Sequence, residues 1–191
     1  MTAAATATAL VALVPAAAQA CGKQKLTPSF SSFGDAGLYL PVDNAGFESG
    51  KSDWKLRGAG VMAGNEPWKI GGAAHSKSLR LSAGGTAESD EVCVTIDHTH
   101  SRFFARSLSA TGALRVEVLW DDEGDDHVAT VATLSATTYQ NAWKPTPTIP
   151  MASAVASLYE DEEDELVAFR FVAVGGAWDI DDVSVDPYRA R

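Results

Sequence analysis

The sequence has few cysteines, a deficit of positive charge and none of the short motifs that mark common enzyme families. Only Cys21 and Cys93 occur among its 191 residues, and neither belongs to a Cys-x-x-Cys pair, which argues against a redox or cysteine-based metal site. The 15 Lys and Arg residues are outnumbered by 25 Asp and Glu residues, which gives a formal net charge of −10. This balance argues against nucleic acid or an anionic membrane surface as a partner, because both favour a basic patch.

Catalytic motifs are also missing from the chain. No Gly-x-Ser-x-Gly, His-Glu-x-x-His or phosphate-binding glycine loop occurs. Carboxylates are abundant, but no spacing singles out the acid and the nucleophile that a glycosidase needs. We therefore predict that the protein is not an enzyme.

The first 20 residues have the composition of a targeting segment. An apolar run over Ala3–Val14 precedes Pro15 and the small residues Ala18 and Ala20, a pattern that signal peptidase accepts, although no Lys or Arg precedes the run. The run is too short and too rich in alanine to span a membrane. We predict a signal peptide over residues 1–20 and a secreted protein.

Cleavage after Ala20 would make Cys21 the first residue of the mature protein. A lipid anchor on Cys21 is disfavoured, because such signals favour Leu or a similar residue at position 18, where this chain has alanine. A disulfide between Cys21 and Cys93 would use both cysteines in an oxidising compartment and tie the N-terminal arm to the domain. We predict the disulfide, with a free or lipidated thiol as the alternative.

The rest of the chain is organised as an arm and one domain. Residues 21–41 are rich in Ser, Gly and Pro without a hydrophobic period, which predicts an irregular arm. Over residues 42–191, short alternating runs separated by turn residues predict one all-β domain, an antiparallel β-sandwich. The apolar residues of the segment Met151–Tyr159 fall at helical spacing, which predicts one short helix in a crossover between sheets.

The expected strands follow from the alternating runs and the turns between them. Gly84-Gly85 is taken as the turn that ends one strand, and the strands at Ser101–Arg106 and Ala113–Trp120 are expected to pair across the turn at Ser109–Gly112. The predicted strands are Val42–Phe47, Trp54–Met62, Trp68–Ile70, Ser78–Leu81, Ala87–Ile96, Ser101–Arg106, Ala113–Trp120, His127–Leu134, Ala142–Pro147, Glu165–Val174 and Ala177–Val185.

The last strand contains a break in its alternation. Trp178, Ile180, Val183 and Val185 form one inward face only if an extra residue is inserted at the Asp pair between them. Such an insertion is a β-bulge, which bends a strand and re-aims its side chains. The segment at 42–50 is the expected partner of this strand.

These two segments carry a family resemblance. The opening Asn-x-Gly-Phe-Glu at 44–48, followed by Trp54 and closed by Trp-x-Ile-Asp-Asp-Val at 178–183, resembles the galactose-binding-like jelly rolls that include many carbohydrate-binding modules. The resemblance covers roughly residues 42–187. It implies a jelly-roll fold in which the first and last strands lie close together.

The resemblance also implies a structural calcium ion. Glu48 and Asp182 match the side chains that usually ligate Ca²⁺ in the family, with Asp181 and backbone carbonyls near 43–46 as further ligands. The alternative is a solvated acidic pair, or a Glu48 that accepts hydrogen bonds from backbone amides.

Four residues are candidates for ligand binding. Arg106, Glu117 and Arg170 alternate with apolar residues on predicted strands, and would meet on a concave face if those strands are neighbours. They would form either a ligand groove or a salt-bridged solvated surface. Trp68 lies in a loop and is expected to be exposed, where its ring could stack on a sugar.

Together these features predict a secreted, non-catalytic module that binds a saccharide at the cell surface, with structural calcium. The alternative is an extracellular structural or protein-interaction domain that keeps the fold without binding sugar. Against the first stands the lack of an open row of Trp or Tyr on one strand.

Overall fold

A computed structural model of the protein describes residues 25–95, 98, 100–122, 124–151 and 165–186. In this part of the chain nearly all regular structure is antiparallel β-strand. The strands are β1 (Leu40–Pro41), β2 (Trp54–Ala63), β3 (Lys77–Ser89), β4 (Val92–Val94), β5 (His100–Ser107), β6 (Ala113–Asp122), β7 (Asp125–Ser135), β8 (Lys144–Pro145), β9 (Ile149–Pro150), β10 (Glu165–Val174) and β11 (Trp178–Asp186). A 3₁₀ helix at Ser31–Phe33 and the helix α1 (Ala136–Tyr139) complete the set.

The strands form one curled sheet in the order β7-β6-β10-β3-β11-β5-β8. We call the part containing β7, β6, β10 and the C-terminal part of β3 half A, and the part containing the N-terminal part of β3, β11, β5 and β8 half B. Strand β3 belongs to both, since its residues 86–88 pair with β10 and its residues 79–81 pair with β11. Strand β2 pairs with β3 along its length. The result is the predicted jelly-roll β-sandwich.

Two glycines allow β2 and β3 to bend where the sheet passes from half A to half B. Gly58 has a φ of 59°, and its carbonyl oxygen is so close to Gly85 that a Cβ added at Gly85 would lie 2.3 Å from it. Glycine favours the positive φ at position 58, and the absence of a Cβ permits the close approach of the two backbones at position 85. The Gly84-Gly85 pair therefore lies inside β3, and the prediction that it ends a strand is wrong.

The two halves bury their inner faces against each other. The core contains alternate residues of the long strands, which is the arrangement expected for sheets with one solvated face. Its largest members include Phe169 and Phe171 from β10 and Trp178 and Ile180 from β11. Helix α1 runs from β7 in half A to β8 in half B and buries Ala136 and Tyr139. This crossover helix lies earlier than the predicted one, of which all but Met151 falls outside the described residues.

The predicted bulge in the last strand is confirmed. Strand β11 pairs with β5 through Asp181 opposite Phe104 and then Ser184 opposite Arg102, so that β11 carries one extra residue. Val183 and Val185 are consequently fully buried with Trp178 and Ile180, as expected.

The expected partner of the last strand is only partly correct. Leu40–Pro41 pairs with β11, and the amide of Val42 donates to the carbonyl of Val183 at 3.0 Å. The segment after it does not form the predicted strand Val42–Phe47, because it turns at Asn44 and Phe47, both with positive φ.

The N-terminal arm packs against the outer face of half B. The ring centroid of Phe30 lies 4.8 Å from that of Tyr39 and 5.3 Å from that of Phe104 in β5. Arg102 lies over the Phe30 ring at 4.3 Å and forms an ion pair with Asp35. The arm is irregular as predicted, but over its described residues it is held by a second, smaller apolar cluster.

Three further strand predictions are wrong. Ser101–Arg106 and Ala113–Trp120 are strands but do not pair with each other, because β5 pairs with β11 while β6 lies between β7 and β10. Residues 68–70 form turns rather than a strand, and within 142–147 only β8 is extended. No helix in the described part of the chain is long and apolar enough to cross a membrane.

Candidate functional site

A row of polar side chains crosses the outer face of half A. The strand register places Thr130, Glu117, Arg170, Glu88 and Lys55 directly opposite one another on five neighbouring strands. All five point away from the core, because alternate residues of a strand point to opposite faces of the sheet. The sequence prediction that Glu117 and Arg170 meet is confirmed.

The charges in this row alternate in sign and are paired. Nε of Arg170 donates to Glu117 at 2.5 Å, and Nε of Arg115, from the next row, lies 2.6 Å from the other carboxylate oxygen of Glu117. Lys55 donates to Glu88 at 3.0 Å, and a guanidinium nitrogen of Arg170 lies 4.0 Å from the same carboxylate. Glu117 is buried between its two arginines, whereas the arginines and Lys55 reach solvent.

An apolar row runs beside the charged one. Val128, Leu119 and Ala168 lie opposite one another on β7, β6 and β10, and Val128 is 50% exposed. At the end of these strands the rings of Trp120 and His127 stack with centroids 5.2 Å apart. Arg170, Glu88 and Lys55 of the charged row line a groove of about 720 Å³ together with the apolar row, whereas Glu117 and Thr130 do not reach it. Half A thus offers ion-paired donors and acceptors beside a partly exposed aliphatic surface, within one concavity.

Arg106 is not part of this groove, which corrects the prediction that it meets the other two. It lies in β5 on the outer face of half B, where its guanidinium donates to Asp179 at 2.6 Å. Arg80 donates to both oxygens of the same carboxylate, at 2.8 and 3.1 Å. The reason is the order of the strands, since β3 and β11 lie between β5 and the neighbouring strands β6 and β10.

Trp68 also lies on half B, and it is 43% exposed as predicted. Its ring centroid is 5.4 Å from that of Phe104 and 4.9 Å from that of Phe33 in the N-terminal arm. The indole is therefore supported from beneath by two other rings while one part faces solvent. Trp68 and Arg106 share a surface, but it is not the surface of Glu117 and Arg170.

The bulge in β11 places Asp182 in a second cavity. Asp182 has a φ of 49° and is 5% exposed, and its Oδ2 has no hydrogen-bond partner among the described residues. With Glu48 and His75 it lines a cavity of about 550 Å³ whose wall includes residues 43–46. Nδ1 of His75 lies 3.9 Å from Oδ1 of Asp182. The two predicted calcium ligands thus line one cavity.

Three carboxylates crowd the bulge, and none of them has a Lys or Arg partner among the described residues. Burial and the charge of Glu66 raise the pKa of Asp182 to about 7. Burial and the charge of Asp182 raise the pKa of Asp181 to about 9, although both Asp181 oxygens accept backbone N–H groups, from Asp182 and Glu66. Sequence reasoning missed Glu66, which is fully buried in the turn before Trp68 and has no hydrophobic period around it to indicate burial.

Glu48 is engaged by backbone amides, which is the alternative that the sequence left open. Its Oε1 accepts hydrogen bonds from Ser76 at 2.6 Å and Lys77 at 2.8 Å. Burial tends to raise the pKa of Glu48. The two hydrogen bonds and the neighbouring charges of His75 and Lys77 outweigh burial and lower this pKa. Over the described residues, no three His, Cys, Asp or Glu side chains converge in a way that would hold a metal ion. A cation here would need backbone carbonyls.

Cys93 lies half-buried in β4, and no described cysteine is free. Cys21 falls outside the described residues, together with the signal-peptide segment 1–20. The disulfide between Cys21 and Cys93 therefore stays a prediction.

Comparison with known proteins gives structural neighbours only. No protein-family model matches the sequence, and no curated protein matches it. Among solved structures, a family 61 carbohydrate-binding module in complex with β-1,4-galactotriose is 15% identical with a TM-score of 0.41, over 75% of this chain and 95% of that chain.

Two further neighbours are of the same kind. A family 22 xylan-binding domain from Paenibacillus barcinonensis is 16% identical with a TM-score of 0.48, over 76% of this chain and 94% of that chain. A family 11 carbohydrate-binding module of a cellulase from Clostridium thermocellum is 12% identical with a TM-score of 0.48, over 78% of this chain and 94% of that chain. All three of these structures are carbohydrate-binding modules.

Proposed function

We propose that the protein is a secreted, non-catalytic module that binds a saccharide in the groove on the outer face of half A. The observation that carries the proposal is the combination in one groove of the charged side chains Arg170, Glu88 and Lys55 with the partly exposed aliphatic row beside them. Sugar hydroxyls need donors and acceptors in fixed positions, and sugar C–H faces need an apolar surface.

The ion pairs hold the polar groups in place before a ligand arrives. Arg170 is fixed by Glu117 at one side and faces Glu88 at the other, while part of its side chain remains exposed. A guanidinium held in this way loses less conformational entropy on binding than a free one. The groove is therefore preorganised for a ligand with paired hydroxyls.

The same ion pairs also support a second candidate function. Charges that satisfy one another across five strands are typical of a solvated surface that stabilises a sheet. In that case the protein would be an extracellular structural or protein-interaction domain.

Binding measurements separate the two candidates. We expect the folded protein to bind at least one member of a glycan array, and Arg170→Ala to weaken that binding about tenfold in calorimetry. Lys51→Ala, which removes an exposed charge outside the groove, is the matched control and should change nothing. Absence of binding across the array by folded protein would favour the structural domain.

We also propose a structural Ca²⁺ held by Asp182 and Glu48 with backbone carbonyls of 43–46. The support is the buried, unpartnered Oδ2 of Asp182 and the raised pKa of a carboxyl that faces other carboxyls and a His but no Lys or Arg. A bound divalent cation would supply the positive charge that this cluster lacks.

Thermal unfolding tests the calcium proposal. A cation that binds only the folded state raises the melting temperature with its concentration. We expect such a rise with Ca²⁺, reversed by a chelator and abolished by Asp182→Asn, with a smaller response in Glu48→Gln. Glu88→Gln, on the other face, should keep the full response. If Ca²⁺ does not change the melting temperature of the wild type, the proposed calcium site is wrong. The saccharide proposal does not depend on this result.

Secretion and the disulfide belong to the same proposal. Processing after Ala20 would give a mature chain that starts at Cys21, and mass spectrometry of the secreted protein would show it. The mass should carry no lipid and should rise by two hydrogens on reduction. A mass that includes a lipid would show that Cys21 carries a lipid anchor and is not in a disulfide.

A further inference from the structure

The outer face of half B carries a charge cluster of a different kind from that in the groove. Arg80 on β3, Asp179 on β11 and Arg106 on β5 lie opposite one another on three adjacent strands. Both guanidiniums bind the one carboxylate, which is fully buried. Within the described part of the chain, two positive charges therefore share a single negative charge, which leaves one of them uncompensated.

The two arginines are fixed in position by Asp179 but keep N–H donors that are available to a ligand. Each donates to Asp179 through Nε and one terminal nitrogen, while Nη1 of each has no hydrogen-bond partner in the described part of the chain. The side chains of Arg80 and Arg106 are 39% and 30% exposed. Each guanidinium thus presents an open edge to solvent in a fixed orientation, which suits a carboxylate oxygen.

Aromatic rings flank the cluster. Trp143, in the segment before β8, lies over the Arg106 guanidinium with its centroid at 4.9 Å. Phe104 precedes Arg106 by two residues on the same face of β5, a separation of about 7 Å along the strand. Trp68 rests against Phe104 and is exposed, so its ring lies about one row from the arginines. That spacing is comparable to one sugar ring.

We propose that the outer face of half B is a second ligand-binding surface, for a saccharide that carries a carboxylate, such as a uronic acid. Its carboxylate would lie against the open edges of Arg80 and Arg106, and its ring would stack on Trp68. An ion between two guanidiniums supplies the charge that Asp179 alone leaves uncompensated. A flat, supported indole favours a sugar ring over an acidic peptide. This surface is separate from the proposed groove and does not depend on it.

Calorimetric titration of the full chain with tri-galacturonate tests the proposal. We expect binding that weakens about tenfold or more in Arg106→Gln, because a charge-assisted hydrogen bond is lost. Trp68→Ala should weaken it severalfold without touching the ion pairs, and it serves as the second variant if Arg106→Gln unfolds. Arg170→Gln, on half A, should leave this binding unchanged.

Two comparison ligands test whether binding needs both the carboxylates and the sugar rings. Tri-galactose lacks the carboxylates and tri-glutamate lacks the sugar rings, and we expect both to bind at least tenfold more weakly at the half B surface. Equal binding of tri-glutamate would overturn the saccharide, and equal binding of tri-galactose at this surface would overturn the role of the arginines. Absence of tri-galacturonate binding at millimolar concentration would overturn the surface itself. Loss of binding in Arg170→Gln but not in Arg106→Gln would assign the ligand to the groove instead.

Discussion

Strand β11 buries Asp179 and the pair Asp181–Asp182 only two residues apart, in opposite electrostatic surroundings. Asp179 accepts hydrogen bonds from two arginines. Asp181 and Asp182 have no Lys or Arg partner in the described part of the chain, and burial with the charges of neighbouring carboxylates raises their pKa values to about 9 and about 7. The fold therefore accommodates buried carboxylates in two ways, by pairing the charge or by favouring the protonated form. Each way predicts a different response to mutation and to pH.

The largest expected effect comes from removing the paired charge. Asp179→Asn should lower the free energy of unfolding by about 2–3 kcal/mol at pH 7, because two arginines lose their shared partner. The cost stays below that of a fully buried pair, since both arginines are partly exposed. Urea unfolding at pH 7 measures it.

Asp181→Asn is the matched variant on the same strand. Burial raises the pKa of its carboxyl in the folded protein, so ionisation of this group in the unfolded chain opposes folding at pH 7. The neutral amide removes that penalty, and Asp181→Asn should therefore lower the free energy of unfolding far less than Asp179→Asn does, or raise it. A loss at Asp181 as large as that at Asp179 would show that the two sites do not differ in the way proposed.

A second effect is the direction of the pH dependence in the presence of chelator. The pKa values of Asp181 and Asp182 are raised in the folded protein above their unfolded value of about 3.9. Their contribution to stability is therefore complete below about pH 4 and is lost as the pH rises through about 7 and about 9. We expect the free energy of unfolding to fall as the pH rises from 5 to 9.

Two comparisons sharpen this test. Asp182→Asn should flatten the part of the profile between pH 5 and pH 7, whereas Glu117→Gln should preserve its slope. Ca²⁺ should oppose the fall, because it binds ionised carboxylates. Stability that rises steadily from pH 5 to pH 9 without calcium would contradict the assigned pKa directions.

Part of this arrangement was predictable from the sequence. The apolar residues Trp178, Ile180, Val183 and Val185 can share a face only with one extra residue between them, so the bulge follows from simple counting. The meeting of Glu117 with Arg170 followed from strands that alternate clearly and lie side by side.

Other features depend on contacts that sequence spacing does not encode. Arg106 was assigned to the wrong surface because its strand pairs with residues more than seventy positions away. The glycine pair in β3 has the composition of a turn, but its role is to allow the backbones of β2 and β3 to approach closely. Glu66 is buried by the turn that folds over Asp181, and an acidic residue in a polar loop gives no sign of that.

The smallest expected effect compares the two ends of the charged row on half A. The Lys55 side chain is 75% exposed, so Lys55→Ala should cost less than about 0.5 kcal/mol and should lose even this at high salt. Glu117 lies buried between Arg115 and Arg170, and Glu117→Gln should cost about 1–2 kcal/mol with little dependence on salt. Parallel urea titrations at low and high salt measure both. Equal and fully screened effects would mean that the row is a solvated surface throughout, and would weaken the argument that Arg170 is held in place for a ligand.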